Sequence, residues 1–190
     1  MPCLPNWSIK GPFIYASPTQ HILRGLCFEG SGFDAAIFHV WVFFLPLCVP
    51  ATIVSLNFGK RLRGAKGESW NKNDPELISA IRMAVTQEAL PFLSEVESLP
   101  DLARILADKW PSKSSHVKET IAYALAYSGD IEGANTQLEQ LLEMLDKTVH
   151  WQREMAERAT LLKTKLTNFH DAQQQLRIWE MESRSNLKLD

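Results

Sequence analysis

The sequence predicts an α+β fold, in which a small, mostly antiparallel sheet of about four strands precedes an α-helical region that ends in a long amphipathic helix. Before Asp74 the apolar residues alternate or run together over strand lengths, and after it they recur with a helical period. Seven of the nine Gly and seven of the nine Phe also precede Asp74. Finally, residues 1–73 carry a net charge of +4 and residues 74–190 carry −6. We therefore expect two regions of different architecture.

The first region, residues 1–73, contains the predicted strands. The candidates are a short edge strand at 13–16 and longer strands at 21–29, 36–45 and 52–58. The stretch 35–57 has no Asp, Glu, Lys or Arg, and its 23 residues could also cross a membrane. Pro46 and Pro50 lie in the middle of that stretch and would each remove a helical hydrogen bond. Two strands joined by a Pro-bounded turn are therefore favoured over a membrane helix.

Residues 74–148 predict helices that pack on the sheet, beginning at Asp74-Pro75. Residues 117–145 read as a helical hairpin whose turn is Gly129-Asp130-Ile131. This hairpin resembles a single tetratricopeptide-type repeat, with Ala134 and Leu138 at the small and large positions of its second helix. The resemblance departs from the repeat at Lys118 and Asp146, and no second copy follows. A plain αα-hairpin is the alternative, and the residues favour it.

Residues 149–190 predict a long C-terminal helix, from about 149 to 183. Apolar residues alternate spacings of four and three there, as in a coiled coil. One interpretation packs the first half of this helix on the preceding hairpin and leaves a charged tail. The other uses the far half to bind a protein partner or a second copy, giving a homo-oligomer. Its candidate anchors are Leu162, Leu166, Phe169 and Leu176.

The chain contains no sequence motif for catalysis, for a metal or for a cofactor. It has no phosphate-binding glycine loop, no HExxH, no GxSxG and no paired CxxC. We therefore predict no catalytic residue, no metal ligand and no cofactor. An enzyme or small-ligand site on the sheet is an alternative hypothesis, and its possible pocket residues are His21, Arg24, Glu29 and His39. Charges that flank turns on a solvated face explain these residues equally well.

A basic cluster follows the apolar stretch and includes Lys60, Arg61, Arg63 and Lys66, with Trp70 nearby. Basic residues beside an aromatic ring can bind phosphate or single-stranded nucleic acid. These four residues are therefore the candidates for binding an anion, a nucleic acid or an anionic membrane surface. A net charge of −2 for the whole chain gives no indication of a nucleic-acid partner, and we expect neither nucleic acid nor a membrane as the partner. A solvated loop or a docking patch for the acidic helices is the favoured interpretation.

Several short patterns resemble an uncharacterised family of small bacterial α+β proteins. They are Arg24-Gly25, Phe28-Glu29, Ser31-Gly32-Phe33-Asp34 and Asn57-Phe58-Gly59, with an aromatic strand and a Pro-bounded turn before the last. The resemblance covers about residues 20–106. It implies a bacterial origin and an α+β fold, and it implies no activity and no functional residues.

These observations together predict a non-enzymatic protein–protein interaction module, such as an adaptor or an immunity-type partner, that acts through its helical face. The first residues, Met1 to Trp7, lack the charged and apolar segments of a secretion signal, so we expect a cytoplasmic protein. The identity of the partner is not encoded in any motif.

Overall fold

A computed structural model describes residues 6–65 and 67–189 and confirms the predicted α+β class, because an antiparallel sheet precedes a series of helices. The strands are β1 (Asn6–Lys10), β2 (Phe13–Ser17), β3 (Ile22–Gly30), β4 (Ile37–Pro46), β5 (Phe58–Arg61) and β6 (Ser69–Asn71). They are ordered β1-β2-β3-β4-β5, and β6 pairs with β4. The predicted edge strand at 13–16 is therefore an inner strand, because β1, which the sequence analysis did not predict, lies outside it.

Strands β5 and β6 lie end to end along one edge of β4. Arg61 pairs with Trp41, and Ser69 pairs with His39, so the register shifts by six residues between the two strands. Between the two strands the N–H groups of Gly64 and Gly67 each donate to the other's carbonyl, at 2.8 and 3.1 Å. The predicted basic loop is thus partly a strand and partly the segment between β5 and β6.

The helices are α1 (Leu77–Ala84), α2 (Leu90–Ser94), α3 (Leu99–Lys109), α4 (Ser115–Ser128), α5 (Ile131–Met144), α6 (His150–Lys165) and α7 (Phe169–Leu187). A π-helical turn, Val85–Ala89, joins α1 to α2. Pro91 follows one residue after α2 begins, and proline lacks an N–H and collides with the carbonyl four residues earlier in an α-helix. The wider π-turn relieves that conflict, so the helix continues where the sequence predicted an end or a kink.

The chain forms two compact units whose boundaries differ from the predicted regions. One unit takes the residues up to Leu45 and Val54–Glu95, and the other takes Pro46–Ile53 and the residues from Val96 onward. By sequence the first unit carries eight Lys/Arg and seven Asp/Glu, or +1, and the second carries twelve and fifteen, or −3. The charge contrast seen in the sequence is therefore much weaker between the units that the chain actually forms.

The core of the first unit lies on the sheet and is closed by α2. Val40, Val42, Phe43 and Phe44 of β4 are buried almost completely, which explains the continuous apolar run in this strand. The Phe44 ring stacks on Phe92 of α2 at a centroid distance of 4.6 Å. Among the described residues, no helix combines the length and the apolar composition that crossing a membrane requires.

The core of the second unit is built from α3 to α7 and from the segment Pro46–Ile53. Leu47 and Cys48 of that segment are fully buried. The Ser183 hydroxyl of α7 accepts a hydrogen bond from the Ala51 N–H at 3.1 Å and donates one to the Val49 carbonyl at 3.3 Å. A side chain of the last helix therefore satisfies the backbone of a segment more than 130 positions earlier.

Two predicted elements are wrong. Residues 52–57 form no strand, and β5 begins only at Phe58. The Asn57 N–H bonds the Ser55 hydroxyl at 3.2 Å, a local turn bond that competes with sheet pairing. The long helix at 149–183 is two helices, because Asn168 accepts a hydrogen bond from the His170 N–H at 3.0 Å and so caps a new helix.

Candidate functional site

The four predicted C-terminal anchors lie mostly inside the second unit. Leu162, Leu166 and Leu176 are buried, and Phe169 is partly exposed. A Cβ atom at Gly129 would lie 3.5 Å from the Phe169 ring, which shows that Phe169 covers the turn between α4 and α5. The heptad pattern therefore reflects packing of α6 and α7 within their own unit. The three leucines are not available to a partner while this packing holds.

The described basic residues Lys60, Arg61 and Arg63 do not converge on one site. Lys60 and Arg61 are neighbours on β5, so their side chains project to opposite faces of the sheet. The Lys60 ammonium lies 5.2 Å from the centre of the Phe92 ring, and the Arg61 guanidinium lies 4.9 Å from that of Trp41.

Arg63 and Lys66 are the other two basic residues of the cluster. Arg63 is neutralised by Glu68, with 3.1 Å between Nη2 and Oε1. Lys66 lies outside the described residues. Each described cation of this cluster thus has a separate local contact.

The possible pocket residues are also divided between surfaces. The Trp41 indole N–H donates to Glu29 Oε2 at 2.9 Å, so both side chains lie on one face of the sheet, and His39 shares that face because it is two residues from Trp41. Arg24 is five residues from Glu29 on β3 and projects to the opposite face. His21 precedes β3 and is exposed. The four side chains therefore do not line one pocket.

A buried ion pair links α4 to α6 in the second unit, and sequence reasoning missed it. The Arg158 Nε and Nη2 atoms donate to Glu119 Oε1 at 3.1 and 2.8 Å. Glu119 is only 1% exposed, whereas the Arg158 side chain is 26% exposed. Beside this pair the buried Tyr123 ring stacks on Trp179 of α7 at 5.3 Å. No spacing in the sequence signals this pair, because its members are 39 residues apart.

The electrostatics around Glu119, Tyr123 and Cys48 do not favour a reactive side chain near neutral pH. Burial raises the pKa of the Glu119 carboxyl, and the Arg158 guanidinium opposes that shift. Burial and the Glu119 carboxylate raise the pKa of the Tyr123 hydroxyl well above its ordinary value. Burial, followed by the charge of Glu180, raises the pKa of the Cys48 thiol to about 12. The thiol and phenol therefore stay protonated, so the cluster can orient helices but offers no activated nucleophile.

No metal site is evident either. The described residues contain no group of three or more His, Cys, Asp or Glu side chains placed to hold a metal ion. The free cysteines Cys27 and Cys48 are both buried, as is common for free cysteine, which behaves as a small apolar residue.

The strongest candidate for a functional surface is the apolar face of α1. Ile78, Ile81 and Val85 follow one another at spacings of three and four, so they lie along one side of the helix. Ile78 is 77% exposed, and the other two are half-buried. Ala84 is the only buried residue of α1. The sequence predicted only that the helices beginning at Asp74-Pro75 pack on the sheet, whereas Ile78 is exposed.

We call the residues Ile78, Ile81 and Val85 the α1 stripe. Arg82 lies one turn after Ile78 and borders the stripe with an exposed cation. An apolar row beside a positive charge suits a partner surface that carries apolar side chains and an acidic group. Comparison with protein families, curated proteins and solved structures found no match for the chain.

Proposed function

We propose that the protein is a non-enzymatic protein–protein interaction module that docks a partner on the α1 stripe. The observation that carries the proposal is that Ile78, the first residue of the α1 stripe, is 77% exposed. A helix that buries one residue gains little from intramolecular packing, and burial of an Ile side chain contributes about 1.5–3 kcal/mol when a partner covers it. Docking of a helix face is a common form of peptide and protein recognition.

The chemistry of the described side chains supports an interaction module more than an enzyme. The candidate pocket residues of the sheet project to different faces, and burial keeps the Tyr123 phenol and the Cys48 thiol protonated. Arg82 gives the α1 stripe a polar border, and such borders select among apolar partners more than they add affinity. We therefore place partner selectivity at Arg82 and most of the binding energy at Ile78.

The test compares three forms of the full chain, immobilised at equal density, for proteins captured from cells that express it. Ile78→Glu should abolish capture of a specific protein, because a charge replaces the exposed anchor. Ile53→Glu is the matched control, since Ile53 is 73% exposed but lies outside α1. Both substitutions should change the free energy of unfolding by less than about 0.5 kcal/mol. If capture is equal for both variants, the α1 stripe is not the docking surface.

A further inference from the structure

The outer edge of the sheet at β1 is the candidate for a second interaction surface. β1 stands at the end of the strand order, and its paired neighbour is β2, in a continuous antiparallel register from Asn6↔Ser17 to Lys10↔Phe13. This pairing holds five residues of backbone in an extended form. Within the described residues, no other strand pairs with β1. An open edge of this kind is a template for a further strand.

The hairpin geometry determines which backbone groups face outward. A two-residue turn, Gly11-Pro12, connects β1 to β2, and Gly11 adopts a positive φ of 54°. The closing pair of such a hairpin, Lys10↔Phe13, is a hydrogen-bonded pair, and bonded and non-bonded pairs alternate along the ladder. Trp7 and Ile9 therefore direct their N–H and C=O groups away from β2, toward the open edge.

One face of β1 is apolar, whereas Asn6, Ser8 and Lys10 on the other face are polar. Trp7 and Ile9 pair with Ala16 and Ile14, so all four lie on one face of the sheet. Ile9 is 76% exposed. The strand contains no Pro, no acidic residue and no bulge, and Lys10 at its end is its only charge. The usual features that block edge pairing are thus nearly absent.

We propose that β1 pairs with β1 of a second copy of this chain, antiparallel and around a two-fold axis at Ser8. In this register Trp7 faces Ile9 of the second copy, and Asn6 faces Lys10. Trp7 and Ile9 supply the outward hydrogen-bonding groups on both strands, so the backbone bonds form between them. The two sheets join into one continuous sheet with an isologous interface.

The sequence of β1 is complementary to itself, which selects a second copy over an unrelated strand. The register centred on Ser8 pairs all five residues, sets an aromatic ring against a β-branched side chain twice, and places each lysine opposite an amide. If the two β1 strands are shifted by two residues from this register, two residues of each strand have no residue opposite them. A five-residue strand buries little area, so the dimer is weak and depends on concentration.

The test is a disulfide cross-link in full-length chains that carry Cys3→Ser, because Cys3 lies outside the described residues and Cys27 and Cys48 are buried. In this background Ser8→Cys places two thiols at the two-fold axis, where Cα atoms of a non-bonded pair lie about 4.5 Å apart, within disulfide range. Lys10→Cys is the matched control. It leaves the two thiols about 13 Å apart, four residues of offset at about 3.4 Å each.

We expect Ser8→Cys to form the covalent dimer at least about tenfold faster than Lys10→Cys under mild oxidation, because only its thiols meet disulfide geometry. Equal rates would overturn the proposed register. Sedimentation of the parent, Ile9→Val and Ile9→Lys as a function of concentration tests the interface without a cross-link. The parent and Ile9→Val should shift toward dimer mass together, whereas Ile9→Lys should stay monomeric. Even a dimer with a Kd of about 1 mM is substantially formed at a protein concentration of about 1 mM. A parent protein that remains monomeric up to that concentration would therefore exclude the dimer.

Discussion

Arg158→Met tests the role of the buried ion pair, because it removes the cation and leaves the Glu119 carboxylate enclosed. Removing one partner of a buried pair costs about 3–5 kcal/mol. The Arg158 side chain is 26% exposed, so water can reach the carboxylate in part, and we expect a loss of about 2–4 kcal/mol at pH 7. A protein of this size loses roughly 2–4 °C of Tm per kcal/mol, which gives a decrease of roughly 4–16 °C.

The assay is thermal and denaturant unfolding of the parent, Arg158→Met, Glu119→Gln and the double variant. The double variant should be more stable than Arg158→Met alone, because it removes the unpaired charge together with its partner. An Arg158→Met protein within about 0.5 kcal/mol of the parent, with no coupling in the four-protein cycle, would refute the assignment of this pair as a structural charge pair.

The contribution of Glu119 to the free energy of unfolding changes with pH in a definite direction. The pKa of Glu119 is raised in the folded chain, so the folded state binds its proton more tightly than the unfolded state does. Its contribution to stability is therefore fully present below the ordinary value of 4.5 and is lost as the pH rises through the higher folded pKa. Without Arg158 the pKa of Glu119 in the folded chain rises further. The loss of unfolding free energy caused by Arg158→Met should therefore be smaller at pH 5 than at pH 8. A defect that does not change over this range would contradict this linkage.

Three other substitutions follow from the same structure, and unfolding free energies check each of them. Gly25→Ala should destabilise the first unit by about 2 kcal/mol or more, because an added Cβ would collide with the Ile14 carbonyl of β2; a neutral result would show that the strands can separate without cost. Gly129→Ala should cost about 1–2 kcal/mol, since φ is 90° there, while Gly30→Ala, whose Cβ meets open space, should cost less. Ser183→Ala should cost about 1–3 kcal/mol by leaving the Ala51 N–H without its acceptor, and Ser185→Ala on the exposed side of α7 is its control.

The sequence predicted the hairpin of α4 and α5 well, because its ends depend on neighbouring residues. Ser114 caps α4 by accepting from the Val117 N–H at 3.4 Å, and Asp130 caps α5 by accepting from the Gly133 N–H at 2.9 Å. Gly129 adopts the left-handed conformation that ends α4. The αα-hairpin was therefore predictable to within a few residues, since each of its boundaries has a local chemical cause.

Prediction failed at two overlooked local bonds, to Ser55 and to Asn168, and where distant residues decide the outcome. The heptad pattern of 155–176 was real, but Asn168 divides it into two helices and both bury their apolar sides in their own unit. Segment Pro46–Ile53 directly follows a strand of the first unit. It nevertheless belongs to the second unit, where Ser183 accepts a hydrogen bond from its Ala51 N–H. The exposure of Ile78 likewise depends on what the sheet leaves uncovered. Periodicity shows that a face is apolar but cannot show whether that face is covered.

The central claim is that the α1 stripe binds a protein partner, and site-specific photo-cross-linking in living cells tests it most directly. A photoreactive phenylalanine analogue replaces Ile78 in one variant and Ile53 in the other, both exposed positions of similar accessibility. If the α1 stripe binds a partner, a discrete covalent adduct of higher mass forms at position 78 and is absent at position 53. An adduct at neither position, or equal adducts at both, would contradict the claim.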